Sequence, residues 1–205
     1  MAFFRVEKRF SDTSGVNQTL PKYIGGHNDV LGGVVACRTE GLYSDLWDQR
    51  SMRGGIIDNF SAYLLLRSLR TYDLRIERSL ENVEQILDYL SQSPKVTKIY
   101  YPGRFENEHQ KEIFDRSFNH GGAVITFRVD DKVSLKENMA SLCSTKMAPS
   151  FGSVDSLIEI PKYMSHWGKS DEDVAKLGLD AYTVRYSVGN EPIKYLIDDL
   201  ERLLG

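Results

Sequence analysis

Four histidines, His27, His109, His120 and His166, and two cysteines, Cys37 and Cys143, are the side chains here whose types most often serve metals or covalent catalysis. Their spacing fits neither use. No H-E-x-x-H or other ligand pattern joins the histidines, so each reads as a surface or hydrogen-bonded residue rather than a metal ligand. The cysteines stand far apart and outside any C-x-x-C unit, which gives neither a disulfide framework nor a zinc site; both are expected to be inert thiols packed in the core as small hydrophobes. The chain also lacks a G-x-S-x-G elbow and a G-x-x-x-x-G-K phosphate loop. By spacing alone the sequence reads as a soluble α/β protein.

The elements that must position any chemistry follow from periodicity. Residues 1–21 are poorly patterned, and Ser11 to Gly15 reads as loop. Two Gly pairs, Gly25-Gly26 and Gly32-Gly33, bracket a polar turn and lead into a short strand, Val34 to Cys37. From Asn59 to Leu90 the apolar residues Leu65, Leu69, Tyr72, Ile76, Leu80, Val83, Leu87 and Leu90 recur every three or four positions without Pro or Gly. This predicts one long amphipathic helix, or two nearly continuous ones, closed by Pro94. A strand at Val96 to Tyr101, a polar helix around Glu106 to Phe118, a strand at Ala123 to Val129 and a helix near Leu135 to Leu142 come next. A strand at Thr183 to Val188 and a terminal helix striped by Ile193, Leu196, Ile197, Leu200 and Leu203 complete an α/β pattern.

The 205 residues are 41% apolar and 27% charged, with a net charge of -3 and basic residues scattered among acidic ones. That excludes the electrostatic footprint of a nucleic-acid or anionic-lipid binder. No apolar run approaches the roughly 20 residues of a membrane span, and the start has no long apolar segment with a cleavage site, so a cytoplasmic protein is expected.

Five blocks resemble one family in register. Thr19-Leu20-Pro21-Lys22-Tyr23-Ile24-Gly25-Gly26-His27-Asn28-Asp29-Val30-Leu31-Gly32-Gly33 is similar to the S-A-T-K-Y-[IL]-x-G-H-[SN]-D block around the cofactor lysine of the Cys/Met metabolism (trans-sulfuration) enzymes, which use pyridoxal 5'-phosphate (PLP). Gly54-Gly55 through Ala62 to Thr71 resembles the family's G-G-x-x-x-x-x-A-x-L-x-x-R-G-[LM]-K-T helix, and Tyr101-Pro102-Gly103 its Y-P-G turn. Ala148 to Leu157 resembles S-L-G-G-x-E-S-L, and Val184 to Glu191 resembles V-R-[LF]-S-x-G-x-E. The resemblance implies the carboxyl-terminal part of a PLP fold-type I, aspartate-aminotransferase-like enzyme. Its parts would be a remnant of the PLP-binding large domain over 1–58, a long linking helix over 59–93 and a small α/β domain over 94–205.

Within that resemblance Lys22 is the catalytic and cofactor-binding lysine, Thr19 stands where a serine contacts the cofactor phosphate, and Arg185 and Ser150 are substrate-binding. Arg185 would clamp the substrate α-carboxylate by two parallel charge-assisted hydrogen bonds. Ser150 either helps hold the lysine or the carboxylate, or is a turn hydroxyl. Pro21 replaces the threonine before the lysine and removes a backbone donor; Ser68 and Ser153 for glycine, and Asp155 for glutamate, are milder departures.

The implied function is a γ-replacement or γ-elimination on a homoserine ester, cystathionine or a related sulfur amino acid. Cystathionine γ-synthase is favoured by the strings G-H-N-D-V-L-G-G and A-P-S-F-G. A γ-lyase or β-lyase of the family, or a truncated non-catalytic homologue acting as an oligomer partner, are the alternatives. The resemblance covers about half of the family's length. The half that supplies the aspartate for the pyridine nitrogen, the stacking tyrosine and most phosphate contacts is not matched. Weak or absent cofactor binding by this chain alone, a large apolar surface, and a homo-oligomer or a chain supplying the missing amino-terminal domain are therefore expected.

Overall fold

A computed structural model describes residues 2–5, 15–105 and 107–205, with side chains described from Leu20 onward. The chain forms two compact units, 1–73 and 74–205. The unit boundary therefore falls at 73/74, where the expected divisions were at 58/59 and 93/94.

In the first unit, β3 (Gly33–Cys37) is the central strand of a three-stranded sheet, parallel to β1 (Ala2–Arg5) and antiparallel to β2 (Gly15–Thr19). The poorly patterned start thus contains two strands; of the loop expected at Ser11 to Gly15, Gly15 opens β2 and Ser11 to Ser14 lie outside the described residues. Short strands with mixed polar residues such as Gly15-Val-Asn-Gln-Thr19 carry little alternation, and their pairing is decided by β3. Helix α1 (Glu40–Arg53) was not anticipated. Its start is capped by Thr39, whose hydroxyl accepts the Leu42 N–H at 3.3 Å, and it ends at Gly54 with φ 68°. It buries no residue, so it lacks the apolar stripe by which helices are read from sequence.

The long helical pattern resolves into α2 (Asn59–Leu69) and α3 (Tyr72–Gln92), interrupted at Arg70 and Thr71. Asp58 caps α2 by accepting the N–H groups of Phe60 and Ser61 at 3.0 and 2.9 Å. Leu65 of α2 joins Leu20 and Val30 in a small core edged by Ile24, Val34 and Ile57. The same unit leaves Met52, Ile56, Phe60, Tyr63 and Leu66 more than half exposed.

The second unit holds a five-stranded sheet in the order β4-β5-β8-β7-β6. Its strands are β4 (Val96–Tyr100), β5 (Val124–Val129), β6 (Lys146–Met147), β7 (Leu157–Glu159) and β8 (Thr183–Ser187). All pairings are antiparallel except β6 with β7. Helices α4 (Glu108–Ser117), α5 (Leu135–Met139), α6 (Asp171–Lys176) and α7 (Ile193–Leu204) complete it. Its core combines Val83, Ile86, Leu87 and Leu90 of α3 with Ile125, Phe127 and Val129 of β5, Val184 and Tyr186 of β8, and Leu196, Leu200 and Leu203 of α7. Burial pushes the Tyr186 phenol far above its ordinary range, and its hydroxyl is satisfied by Thr145 at 3.1 Å. Cys37 is buried as expected, but Cys143 is exposed, which corrects its placement in the core. It lies in an irregular segment whose backbone N–H groups face the Asp199 carboxylate, and it accepts from Arg202.

Two side chains, Asn82 and Glu191, brace the turn after β8. Asn82 of α3 donates from Nδ2 to the carbonyls of Gly189 and Glu191, both at 3.0 Å, and Glu191 accepts from the N–H and hydroxyl of Ser156. A Cβ on Gly189 would lie 2.4 Å from the Val154 oxygen and 2.6 Å from the Asp155 carbonyl carbon. Both are backbone atoms with no side chain to swing away. Gly189→Ala is therefore expected to destabilise the second unit by about 3 kcal/mol, measured as a shift of the urea midpoint.

Asp199 is buried, and burial pulls its carboxyl upward, yet the N–H groups of Cys143, Thr145 and Ser144 outweigh that and hold it below the usual carboxylate range. A depressed native pKa adds stability that is present above the unfolded value of about 4 and is lost as pH falls through the native value. Melting measured from pH 7 down to pH 3 should show a steep acid limb that Asp199→Asn flattens, with a lower plateau at neutral pH.

Candidate functional site

Lys22 lies half-buried in a tight turn between β2 and β3. Leu20 donates to the Gly32 carbonyl at 3.1 Å and accepts from the Gly25 N–H at 2.7 Å, while the Lys22 carbonyl accepts from Gly26 at 2.6 Å. These bonds pin both ends of the turn. Pro21 is the first residue inside it, a position where a helical turn has no acceptor for an N–H, so the missing donor costs little there. The glycine that follows is sterically required: a Cβ at Gly25 would sit 2.8 Å from the Leu20 oxygen and 3.0 Å from Val30 Cγ1. Gly26 and Asn28 then take φ of 73° and 57°, and Asn is among the few non-glycine residues that adopt this region readily. The conformational demands of the turn thus account for Gly25, Gly26 and Asn28 in the lysine block.

His27 tethers this turn to α2. Its Nδ1 lies 2.7 Å from the Gly25 carbonyl and 3.3 Å from the Ser68 hydroxyl. A glycine at position 68, as in the family pattern, would lack that hydroxyl. Thr19 closes β2, paired with Gly33, directly before the turn; its side chain lies outside the description.

Arg185 belongs to the second unit, in the middle of β8, opposite Thr126 of β5 and Glu159 of β7. Its Nη1 contacts Glu159 Oε1 at 2.9 Å and its Nη2 donates to the Ser150 carbonyl at 3.1 Å, with the guanidinium 5.5 Å from the Phe151 ring centre. Ser150 thus meets Arg185 through its backbone oxygen, and the residue as a whole is exposed. Arg185 and Ser150 are brought together in one unit, and Lys22 and Thr19 in the other.

Glu159 was not singled out from the sequence. Its signal was an acidic residue inside the apolar run Leu157-Ile158-Glu159-Ile160, since a buried carboxylate demands a cationic or hydrogen-bonding partner. Among the described residues no helix is long and apolar enough to cross a membrane.

Comparison with known proteins decides the family. The model of the Cys/Met metabolism PLP-dependent enzymes matches residues 15–205. The chain belongs to that family. It is 35% identical over 193 residues to a cystathionine γ-lyase of Dictyostelium discoideum, covering 92% of this chain and 49% of that protein. Against a chloroplastic cystathionine γ-synthase of Arabidopsis thaliana the identity is 32% over 184 residues, 89% of this chain and 32% of the relative. Among solved structures it superposes on cystathionine γ-lyase from Lactobacillus plantarum complexed with L-serine with a TM-score of 0.85 at 34% identity, covering 93% of this chain and 50% of that one. Cystathionine γ-synthase from Xanthomonas oryzae pv. oryzae in complex with cystathionine gives a TM-score of 0.83 at 31% identity, covering 93% and 49%. The mixed α/β architecture is therefore that of the PLP-dependent enzymes, and the chain spans about half the length of the relatives it matches.

The residues present suit one part of a PLP site. A half-buried lysine on a turn pinned at both ends, with no room for a Cβ at Gly25, offers a fixed origin for an amine that must meet an aldehyde. A planar guanidinium fixed at two of its nitrogens offers the geometry for a carboxylate.

Proposed function

We propose that this chain provides the lysine and the carboxylate-binding arginine of a trans-sulfuration enzyme acting on sulfur amino acids or homoserine esters. Lys22 would hold PLP covalently, with Thr19 toward its phosphate, and Arg185 would bind the substrate α-carboxylate. The cofactor supplies an electron sink for the carbanion chemistry. The chain's own contribution is to hold and move protons: the Lys22 amine would carry them at the substrate carbons. Arg185 fixes the carboxylate and hence the orientation of those carbons.

The observation that carries this reading is the guanidinium of Arg185, tied to Glu159 and to the Ser150 carbonyl yet 22% exposed at its side chain. It is neither a solvated surface arginine nor one sealed in a buried ion pair. Cystathionine γ-synthase activity is the first choice within the family, supported by Gly26-His27-Asn28-Asp29-Val30-Leu31-Gly32-Gly33 and Ala148-Pro149-Ser150-Phe151-Gly152. The discriminating assay compares cystathionine formation from a homoserine ester and cysteine with release of a 2-oxo acid from cystathionine. Dominant synthesis supports the assignment. Dominant release moves the chain to the γ- or β-lyase branch, and neither reaction, with cofactor binding indifferent to Lys22, supports a non-catalytic oligomer partner. A cytoplasmic location and a homo-oligomer, or a second chain supplying the remaining cofactor contacts, belong to the same proposal.

A further inference from the structure

We propose that Glu159 is a positioning residue for Arg185, holding the guanidinium plane so that its remaining N–H groups face an incoming carboxylate. This rests on the reading of Arg185 as the carboxylate clamp. The two residues are direct cross-strand partners in the antiparallel register of β7 and β8, so their side chains leave the same face of the sheet about 5 Å apart at Cβ. Val184 and Tyr186 alternate to the other face and are fully buried, which fixes the strand that carries Arg185.

Glu159 is itself fully buried, and its carboxylate is built into its surroundings. Oε1 accepts from Arg185 Nη1 at 2.9 Å and from the Ser165 hydroxyl at 3.0 Å, and Oε2 faces the Ser165 N–H at 3.3 Å. An ion pair with only one partner fully buried is weak evidence of stabilisation, because desolvation of the Glu159 carboxylate offsets much of the attraction. It does impose geometry. Nη1 is tied to Glu159 and Nη2 to the Ser150 carbonyl, so two nitrogens of a rigid planar fork are fixed by partners from two different segments. These contacts use two of five N–H groups and leave donors for a second carboxylate.

Two effects of removing the Glu159 charge oppose each other. Glu159→Gln raises the local positive potential, which favours an anion, and it frees the fork to rotate, which costs a bidentate complex its preorganisation. For a clamp that depends on two parallel hydrogen bonds, the loss of orientation should win. Glu159 is thus expected to act on affinity for the α-carboxylate through Arg185, with no contact to the reacting atoms.

The test uses the full chain and the side-chain nitrogen resonances of Arg185 by NMR, assigned by their loss in Arg185→Lys. In the native chain the Nη resonances should be resolved, reporting slow rotation about Nε–Cζ, and in Glu159→Gln they should merge. Titration with L-serine, as a small α-carboxylate probe, should be about tenfold weaker in Glu159→Gln. Nη resonances that stay resolved in Glu159→Gln, or L-serine binding as tight as or tighter than native, would overturn the inference. If Glu159→Gln fails to fold, Ser165→Ala, which removes one donor to Glu159 and keeps its charge, decides on the same signals: partial merging supports the inference and unchanged signals overturn it. If L-serine moves no Arg185 resonance in the native chain while the Nη signals behave as expected, the clamp reading fails and the positioning role of Glu159 stands.

Discussion

Replacing Lys22 by alanine should abolish turnover of both homoserine esters and cystathionine in the PLP-loaded protein, a fall of about a thousandfold or more, because positioned acid–base groups contribute on that order. The turn explains why no neighbour should compensate. Leu20, Lys22, Gly25 and Gly26 are locked by three backbone hydrogen bonds, so the point from which the amine projects is fixed. The alanine should leave that backbone intact, because neither carbonyl that closes the turn depends on the lysine side chain. Steady-state rates measured beside the melting temperature separate the two effects: the rate should collapse and the melting point should hardly move. Equal loss of both would make Lys22 a structural residue.

The second large effect concerns Arg185. Arg185→Lys keeps the charge but loses the planar fork, so it cannot contact Glu159 and the Ser150 carbonyl while presenting two parallel donors to a substrate. It also leaves the buried Glu159 carboxylate with a poorer partner. The expected result is a loss of about a hundredfold in kcat/KM for amino-acid substrates, the scale of truncating a buried charge-assisted pair. It should fall mainly on KM if the carboxylate is held equally in ground and transition states. Substrate analogues with an amide in place of the α-carboxylate should lose far less. Equal losses on acid and amide would place the defect in folding of β8 and not in recognition.

Much of the second unit was legible because its elements carry strong periodicity. The terminal helix, with Leu196, Leu200 and Leu203 all buried, and β5, alternating buried and half-buried residues from Val124 to Val129, are arrangements in which side-chain pattern and burial coincide. The long helix was legible as a stripe, but its interruption at Arg70 and Thr71 was not, since neither Pro nor Gly marks it. Helix α1 escaped because it buries nothing, and β1 and β2 escaped because strands of four and five residues are defined by their partner more than by their own residues. The roles proposed for Lys22, Thr19, Ser150 and Arg185 rest only on the family blocks, because a lone lysine or arginine has no spacing to betray it. Glu159 lay outside those assignments, although an acidic residue among Leu157, Ile158 and Ile160 announces a buried charge, and such a charge requires the partner that β8 provides.

The most direct test of the central claim is to incubate the chain with pyridoxal phosphate in an excess that populates even a weak site, trap the adduct with borohydride and map the labelled lysines by mass spectrometry. Labelling should concentrate on Lys22, well above every other lysine, and be suppressed by Gly25→Ala, which deforms the turn. Labelling spread over surface lysines, with Lys22 no more reactive than the rest, would contradict the claim.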